Sequence, residues 1–434
     1  MKRIWRKMRL LILAAAVLLP LTGCIATSAV EDLFTLPQPP LEYTDLSETI
    51  SALLADGYEY AAPSAGQHIQ SVQIVDLDWD GRAEALAFFR KPADDKPLKI
   101  LVFQSHGEAY ELLAVIESSG TSIERVEYED MNADGVRDLV VGWKGSADVQ
   151  NVAVYAVGAE QKMLMQSNYT RYTVQDLDGD GIPSLLVMRS DTDGASVAEF
   201  YGWRGEAMTL EHRTTLSSTM AALNGGSVVS GSLNGNAPAV FVTGINEQGM
   251  AVTDILHIRE NGTLNNAALS RATGLSGLIY PYRQLQPQDL DGDGVIEIPA
   301  PRQITLLGKN DGLVDWMQCD AEGQVRRVAT TYHCLSEGWY LALPEAWNEG
   351  EITTVAQTGL WESQVTFRVG GEPVAAIYAI TGENRESRAL QGNRTVLRRQ
   401  TDVVYSGEIM ENVLGYDNEQ LHGDFHLIVT SWGS

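Results

Sequence analysis

The chain has 434 residues, 44% of them hydrophobic and 20% charged, which is enough apolar material for a sizeable core and for more than one domain. Its 57 acidic residues outnumber the 31 Lys and Arg, for a formal charge of −26. A surface that acidic argues against nucleic acid as a partner, because the phosphate backbone would be repelled.

The N-terminus has the layout of a secretory signal. Lys2, Arg3, Arg6, Lys7 and Arg9 precede an apolar run from Leu10 to Leu19, and Leu21-Thr-Gly-Cys24 follows it. The run is too short to span a bilayer as a helix. Leu-Thr-Gly-Cys resembles the lipobox of bacterial lipoproteins. That resemblance implies a signal peptide over 1–23, cleavage before Cys24, a lipid on its thiol, and a protein anchored to the bacterial cell membrane on its extracytoplasmic face. Residues 24–63 then read as a linker. Pro37, Pro39 and Pro40 give an extended spacer, and a short helix follows with Asp45 as N-cap, Glu48 closing a capping box, and Leu46, Ile50, Leu53 and Leu54 along one side.

From 64 to 333 one pattern recurs. Its fullest form is Asp289-Leu-Asp-Gly-Asp-Gly-Val-Ile-Glu297, with carboxylates at places one, three, five and nine and glycine at six. Ca²⁺ takes six to eight oxygens, so Asp289, Asp291, Asp293 and Glu297 can supply carboxylates and Val295 its backbone carbonyl. Asp76, Asp78, Asp80 and Glu84, with the Arg82 carbonyl, repeat the set. So do Asp130, Asn132, Asp134 and Asp138 with Val136. A further copy, Asp176, Asp178 and Asp180 with Ile182, ends in Ser184 where a carboxylate is expected, and Ser232-Leu-Asn-Gly-Asn236 keeps the outline without any carboxylate. The pattern therefore implies three to four structural Ca²⁺ sites.

Strands fall in the same order around each loop. Ile69 to Asp76, Glu84 to Phe89, Leu98 to Gln104 and Tyr110 to Ile116 make the first unit, and the next three units repeat the order. The fifth spans Gln284 to His333. Four strands per unit at a period near 55 residues is the sequence form of a propeller blade. The stretches Asp76 to Leu86, Asp130 to Leu139, Asp176 to Leu185 and Asp289 to Ile298 resemble FG-GAP repeats, known from integrin α-subunits and from bacterial proteins with the related VCBS repeat. The resemblance implies a mainly β chain in which a five-bladed, calcium-binding β-propeller fills 64–333.

Residues 334–434 carry no such loop and read as a small α+β domain. Strands are expected at Val365 to Val369, Val374 to Ile380 and Val396 to Val404, a helix at Glu408 to Val413, and a closing strand at Phe425 to Ser431. The opening Trp339-Tyr-Leu-Ala-Leu-Pro-Glu-Ala-Trp347 loosely resembles PsbP-like domains.

Catalytic motifs are absent: the sequence contains no Gly-x-Ser-x-Gly, Cys-x-x-Cys, GxxxxGK or HExxH. His422 and His426 are spaced to touch a metal in a turn, but two histidines near a terminal strand are more often surface residues. Trp143, Trp203, Trp316, Trp339, Trp347 and Trp361 could stack on sugars, although packing between blades or in the second core explains them better. Cys319 and Cys334 flank a hairpin in a register that would not set them opposite each other, which disfavours a disulfide. The expected role is a non-enzymatic binding or scaffold module at the envelope, with an envelope protein or glycan as ligand. The alternative is a carbohydrate-active enzyme, a glycoside hydrolase or lyase, drawing on the many acids and tryptophans.

Overall fold

The computed structural model describes residues 43–107, 109–145, 149–158, 161–302, 311–410 and 415–428. The signal segment, Cys24 and the proline spacer lie outside them. Among the described residues no helix is long and apolar enough to cross a membrane.

The chain divides into two compact units. The smaller comprises residues up to Gly57 together with Ser105–Glu111. Its helix, Thr44–Ala55, buries Leu46 and Ile50, two of the four positions on the expected apolar side, whereas Leu53 is half-buried and Leu54 is exposed. The predicted cap is wrong. Tyr43 occupies the N-cap with no side-chain bond, and Asp45, inside the first turn, accepts the Tyr110 N–H at 2.8 Å. The acid still lies at the electropositive end of the helix.

The larger unit is a succession of antiparallel sheets. The first contains Glu59–Tyr60, Val72–Val75, Glu84–Arg90, Leu98–His106 and Ala109–Ser118. The second runs Ser122–Glu129, Asp138–Lys144, Gln150–Ala156, Lys162–Asn168, and the third Arg171–Gln175, Ser184–Ser190, Ser196–Trp203, Met208–Thr215. Ser227–Ser232, Pro238–Ile245, Met250–Ile258 and Leu264–Asn266 form the fourth, joined by Ile279–Pro281. Each sheet therefore follows chain order with short turns, as the repeat predicts.

Packing follows from the second strand of each unit. Asp138–Lys144, Asp-Leu-Val-Val-Gly-Trp-Lys, is buried nearly throughout, the pattern of a strand covered on both faces. Its alternate residues go to different cores. Leu139 and Val141 pack with Leu86, Phe88 and Ile100 of the first sheet, whereas Val140 packs with Tyr172, Leu185 and Val187 of the third. The relay continues: Leu186, Met188 and Phe200 meet Val240, Val242 and Leu256, and then Phe241 and Ile255 meet Ile296, Ile298 and Cys319. Every internal sheet is thus sandwiched between its neighbours.

Beyond 300 the structure departs from the expected layout. The fifth sheet is Ile298–Pro301, Gly312–Cys319, Val325–Cys334, Trp339–Ala342 and Phe425–Leu427. Residues on both sides of 333 therefore share one ladder, and the last described strand returns to its edge. A sixth sheet, Ile352–Thr358, Glu362–Val369, Glu372–Thr381, Val403–Ile409, Thr395–Arg399, packs on it through Trp339, Trp347, Phe367, Tyr405 and Phe425. The expected single strand Val396 to Val404 is two strands of a hairpin. The helix expected at Glu408 is absent there: Glu408 pairs with Ala376 in a strand, because Val403, Val404 and Tyr405 favour extended backbone and fill the core. Residues 411–413 of that expected helix, and 429–431 of the expected closing strand, lie outside the described residues.

Candidate functional site

The loops at 76, 130 and 176 each join two paired strands, the loop at 289 is closed by a Gln288–Glu297 bridge and leads into Ile298–Pro301, and the four acidic copies share one hydrogen-bond scheme. The first-place carboxylate accepts the N–H of the sixth-place glycine: Asp76 from Gly81 at 3.1 Å, Asp130 from Gly135 at 3.0 Å, Asp176 from Gly181 at 2.9 Å, Asp289 from Gly294 at 2.8 Å. The fifth-place carboxylate accepts the N–H of the seventh residue. The pairs are Asp80 with Arg82 at 2.7 Å, Asp134 with Val136 and Asp180 with Ile182 at 2.8 Å, and Asp293 with Val295 at 2.7 Å. The ninth-place acid reaches back to the second-place N–H: Glu84 to Leu77, Asp138 to Met131, Glu297 to Leu290. Ser184 has no carboxylate with which to make that last bond. These contacts wrap the backbone donors onto one side of each carboxylate and leave other oxygens converging.

In three loops the convergence is tight. Asp76, Asp78 and Glu84 place one oxygen each within 4.8 Å of one another, and so do Asp176, Asp178 and Asp180, and Asp289, Asp291 and Glu297. Asp76 Oδ1 is shielded from solvent and has no hydrogen-bond partner. Asp80 and Asp293 are not in these triplets. In the second loop the Asn132 amide bonds Asp134 at 3.0 Å and Asp138 at 3.5 Å, so a neutral donor partly offsets carboxylate repulsion there. Asn132 Oδ1 accepts the Asp134 N–H at 2.9 Å.

The electrostatics favour a cation. Burial pushes Asp138 up to about 7, with Asp134 and Asp130 adding repulsion. Burial also raises Glu84, Glu297 and Asp178, and neighbouring loop acids add to each shift. Asp289 goes the other way, lowered chiefly by the Gly294 N–H. A partly buried carboxylate beside others binds either a proton or a metal, and a hard oxygen set with a flexible loop suits Ca²⁺.

The fourth place of each loop is also left-handed, which the sequence reading missed. Gly179 and Gly292 take it at φ 75° and 83°, but Trp79 and Ala133 do so at 59° and 57° with a side chain attached. Glycine at both full DxDGDG copies is the signal that could have revealed it. Replacing Ala133 by Gly is therefore expected to raise stability by about 1 kcal/mol in urea unfolding, since a non-glycine left-handed residue costs about that much. No gain, or a loss, would show that the Ala133 backbone carries no strain.

The carboxylate-free copy, Ser232 to Asn236, is held by backbone hydrogen bonds instead. Ser232 N–H donates to the Gly294 carbonyl at 3.1 Å, and Ile296 N–H to the Ser232 carbonyl at 3.0 Å. Asn234 N–H adds a bond to the Cys319 carbonyl at 2.9 Å.

The remaining candidates separate. Trp143, Trp316, Trp339 and Trp347 are core residues, and Trp361 is 54% exposed. Trp79, in the first loop, is the most exposed tryptophan among the described residues at 64%. His422 contacts Arg398 while His426 stacks on Tyr340 at 4.8 Å, so each histidine has a different neighbour. Cys319 and Cys334 are free buried thiols, each raised to about 12 by burial.

No family model matches the chain, and no curated protein matches it. One solved structure that it is similar to is a hypothetical protein from Leishmania major, 11% identical, covering 65% of this chain and 89% of that one. Its TM-score of 0.24 is too low to carry an argument.

Proposed function

We propose that the first five sheets are the blades of a five-bladed FG-GAP/VCBS-type β-propeller and that Ca²⁺ braces its acidic loops. The sixth sheet belongs to a small C-terminal domain, and a lipid on Cys24 tethers the whole to the extracytoplasmic face of a bacterial membrane. The observation that carries the reading is the single hydrogen-bond scheme repeated at Asp76, Asp130, Asp176 and Asp289. Sheets sandwiched in series support it, because blades of a propeller bury both faces in that way. The residues that would hold the ions are Asp76, Asp78, Asp80 and Glu84; Asp130, Asn132, Asp134 and Asp138; Asp176, Asp178 and Asp180; and Asp289, Asp291, Asp293 and Glu297. Bound Ca²⁺ supplies charge neutralisation and rigidity. The chain's own loops supply the geometry, and the biochemical role is a rigid, non-enzymatic binding or scaffold module.

Elemental analysis and calorimetric titration of the full chain test the proposal. Three to four Ca²⁺ per chain are expected, with Asp289→Asn losing one, and Mg²⁺ competing poorly because it demands a tighter octahedral shell. A chain that retains no divalent ion and gives no binding heat would sink the proposal. Turnover of a glycan panel, abolished by one carboxylate substitution outside the loops, would replace the binding role with an enzymatic one.

A further inference from the structure

The first two loops are stitched to each other. Arg137, at the eighth place of the second loop, donates its N–H to the Leu77 carbonyl of the first at 2.7 Å. Its guanidinium lies 3.9 Å from the centre of the Trp79 ring. Leu77 in turn donates its N–H to Glu84 Oε2 at 2.9 Å, and Asp138, which follows Arg137 in the chain, accepts the Met131 N–H at 2.9 Å. A path therefore runs from Asp138 through the Arg137–Leu77 backbone hydrogen bond to the Glu84 carboxylate that accepts the Leu77 N–H.

On the calcium reading above, we infer that Arg137 is a positioning residue coupling the first and second metal loops, so that filling either one raises the affinity of the other. An ion held by Asp138 fixes the 130–138 backbone. That fixes the Arg137 N–H and cation–π contact, and with them the Leu77 peptide that orients Glu84. The ordering cost of the shared contact falls on whichever ion binds first, and the second ion finds the contact already made. The coupling is reciprocal because both sites bias the same contact.

The third loop lacks the stitch. Its eighth residue is Pro183, which has no N–H to offer to the second loop. No such bond therefore ties the third loop to the second. At the fifth loop the equivalent Ile296 N–H reaches Ser232, in a copy with no carboxylates, so that contact braces the loop without linking two ions.

Trp79 provides the readout. Calcium is titrated into the full chain, and the fluorescence difference from Trp79→Phe isolates the signal of the first loop. Disabling the second loop with Asp130→Asn is expected to raise the calcium midpoint of that signal fivefold or more, the span of ordinary allosteric coupling. Arg137→Pro, which copies the third loop, is expected to do the same with all ligands in place. Asp176→Asn should leave the midpoint within twofold. Equal shifts from Asp130→Asn and Asp176→Asn, or none from Asp130→Asn while calcium still binds, would overturn the coupling and leave the calcium reading standing. A chain without bound calcium by elemental analysis would overturn both.

Discussion

Removing calcium with EDTA is expected to lower the unfolding midpoint by about 10 °C. A site of extracellular affinity, with ion at about ten times its dissociation constant, contributes roughly 1.4 kcal/mol, so three sites give on the order of 4 kcal/mol. For a large domain each kcal/mol is worth about 2–4 °C. The loss has a local cause. Without the ion, three carboxylate oxygens remain within 4.8 Å of one another in each of three loops, and the buried ninth-place acids Glu84 and Glu297 are left facing like charge. Differential scanning calorimetry with calcium, with EDTA, and with calcium restored would measure the effect. A midpoint indifferent to all three conditions would mean that the loops hold their shape through the Gly81, Gly181 and Gly294 bonds alone. High salt should narrow the gap only slightly, because these pairs are too close for screening to matter.

The second large effect concerns acid. His333 is 3% exposed, stacks 5.1 Å from Tyr340 and lies 6.0 Å from Trp316, and neither ring nitrogen has a hydrogen-bond partner. Burial depresses it to about 4. A histidine with its folded value below the unfolded 6.5 contributes fully above pH 6.5, where both states are neutral. The contribution is lost as pH falls towards 4, because only the unfolded chain takes the proton. The loss is about 1.4 kcal/mol per pH unit, so between pH 7 and 4.5 it reaches about 2–3 kcal/mol. His333→Phe keeps the stacking volume and removes the titration. Urea unfolding at both pH values should show the variant losing that much less than the parent chain. Equal losses would assign the acid sensitivity to other groups.

Much of this architecture was legible in the sequence because two independent periods agree. The DxDxDG spacing marks the turn, and alternation or continuous apolar runs mark the strands on either side. Glu84–Arg90 and Asp138–Lys144 begin where the loop pattern places them, since the ninth-place acid is also the first strand residue. The convergence of three carboxylates in each of the loops at 76, 176 and 289 was legible for the same reason, because the spacing sets them around one turn. What could not be read were features set by distant neighbours. Asp45 looked like a cap, but the partner that claims it, Tyr110, lies 65 residues away. Glu408 looked helical because Glu, Met and Leu follow Gly407, whereas pairing with Ala376 decides its state. The stitch between Arg137 and Leu77 was invisible too, since nothing in a repeat tells how one copy leans on the next.

The return of Phe425–Leu427 to the edge of Trp339–Ala342 bears on how the chain is made. About eighty residues separate the two strands, so the fifth sheet stays a strand short until Leu427 has been made. Trp339 is 1% exposed in the mature molecule and stacks near Phe425, and a nascent or prematurely terminated chain would present that indole bare. Translation through Leu427 is thereby made a condition of a dry interior, and a product ending before Phe425 would carry an open strand edge and a greasy face for proteases or chaperones to find.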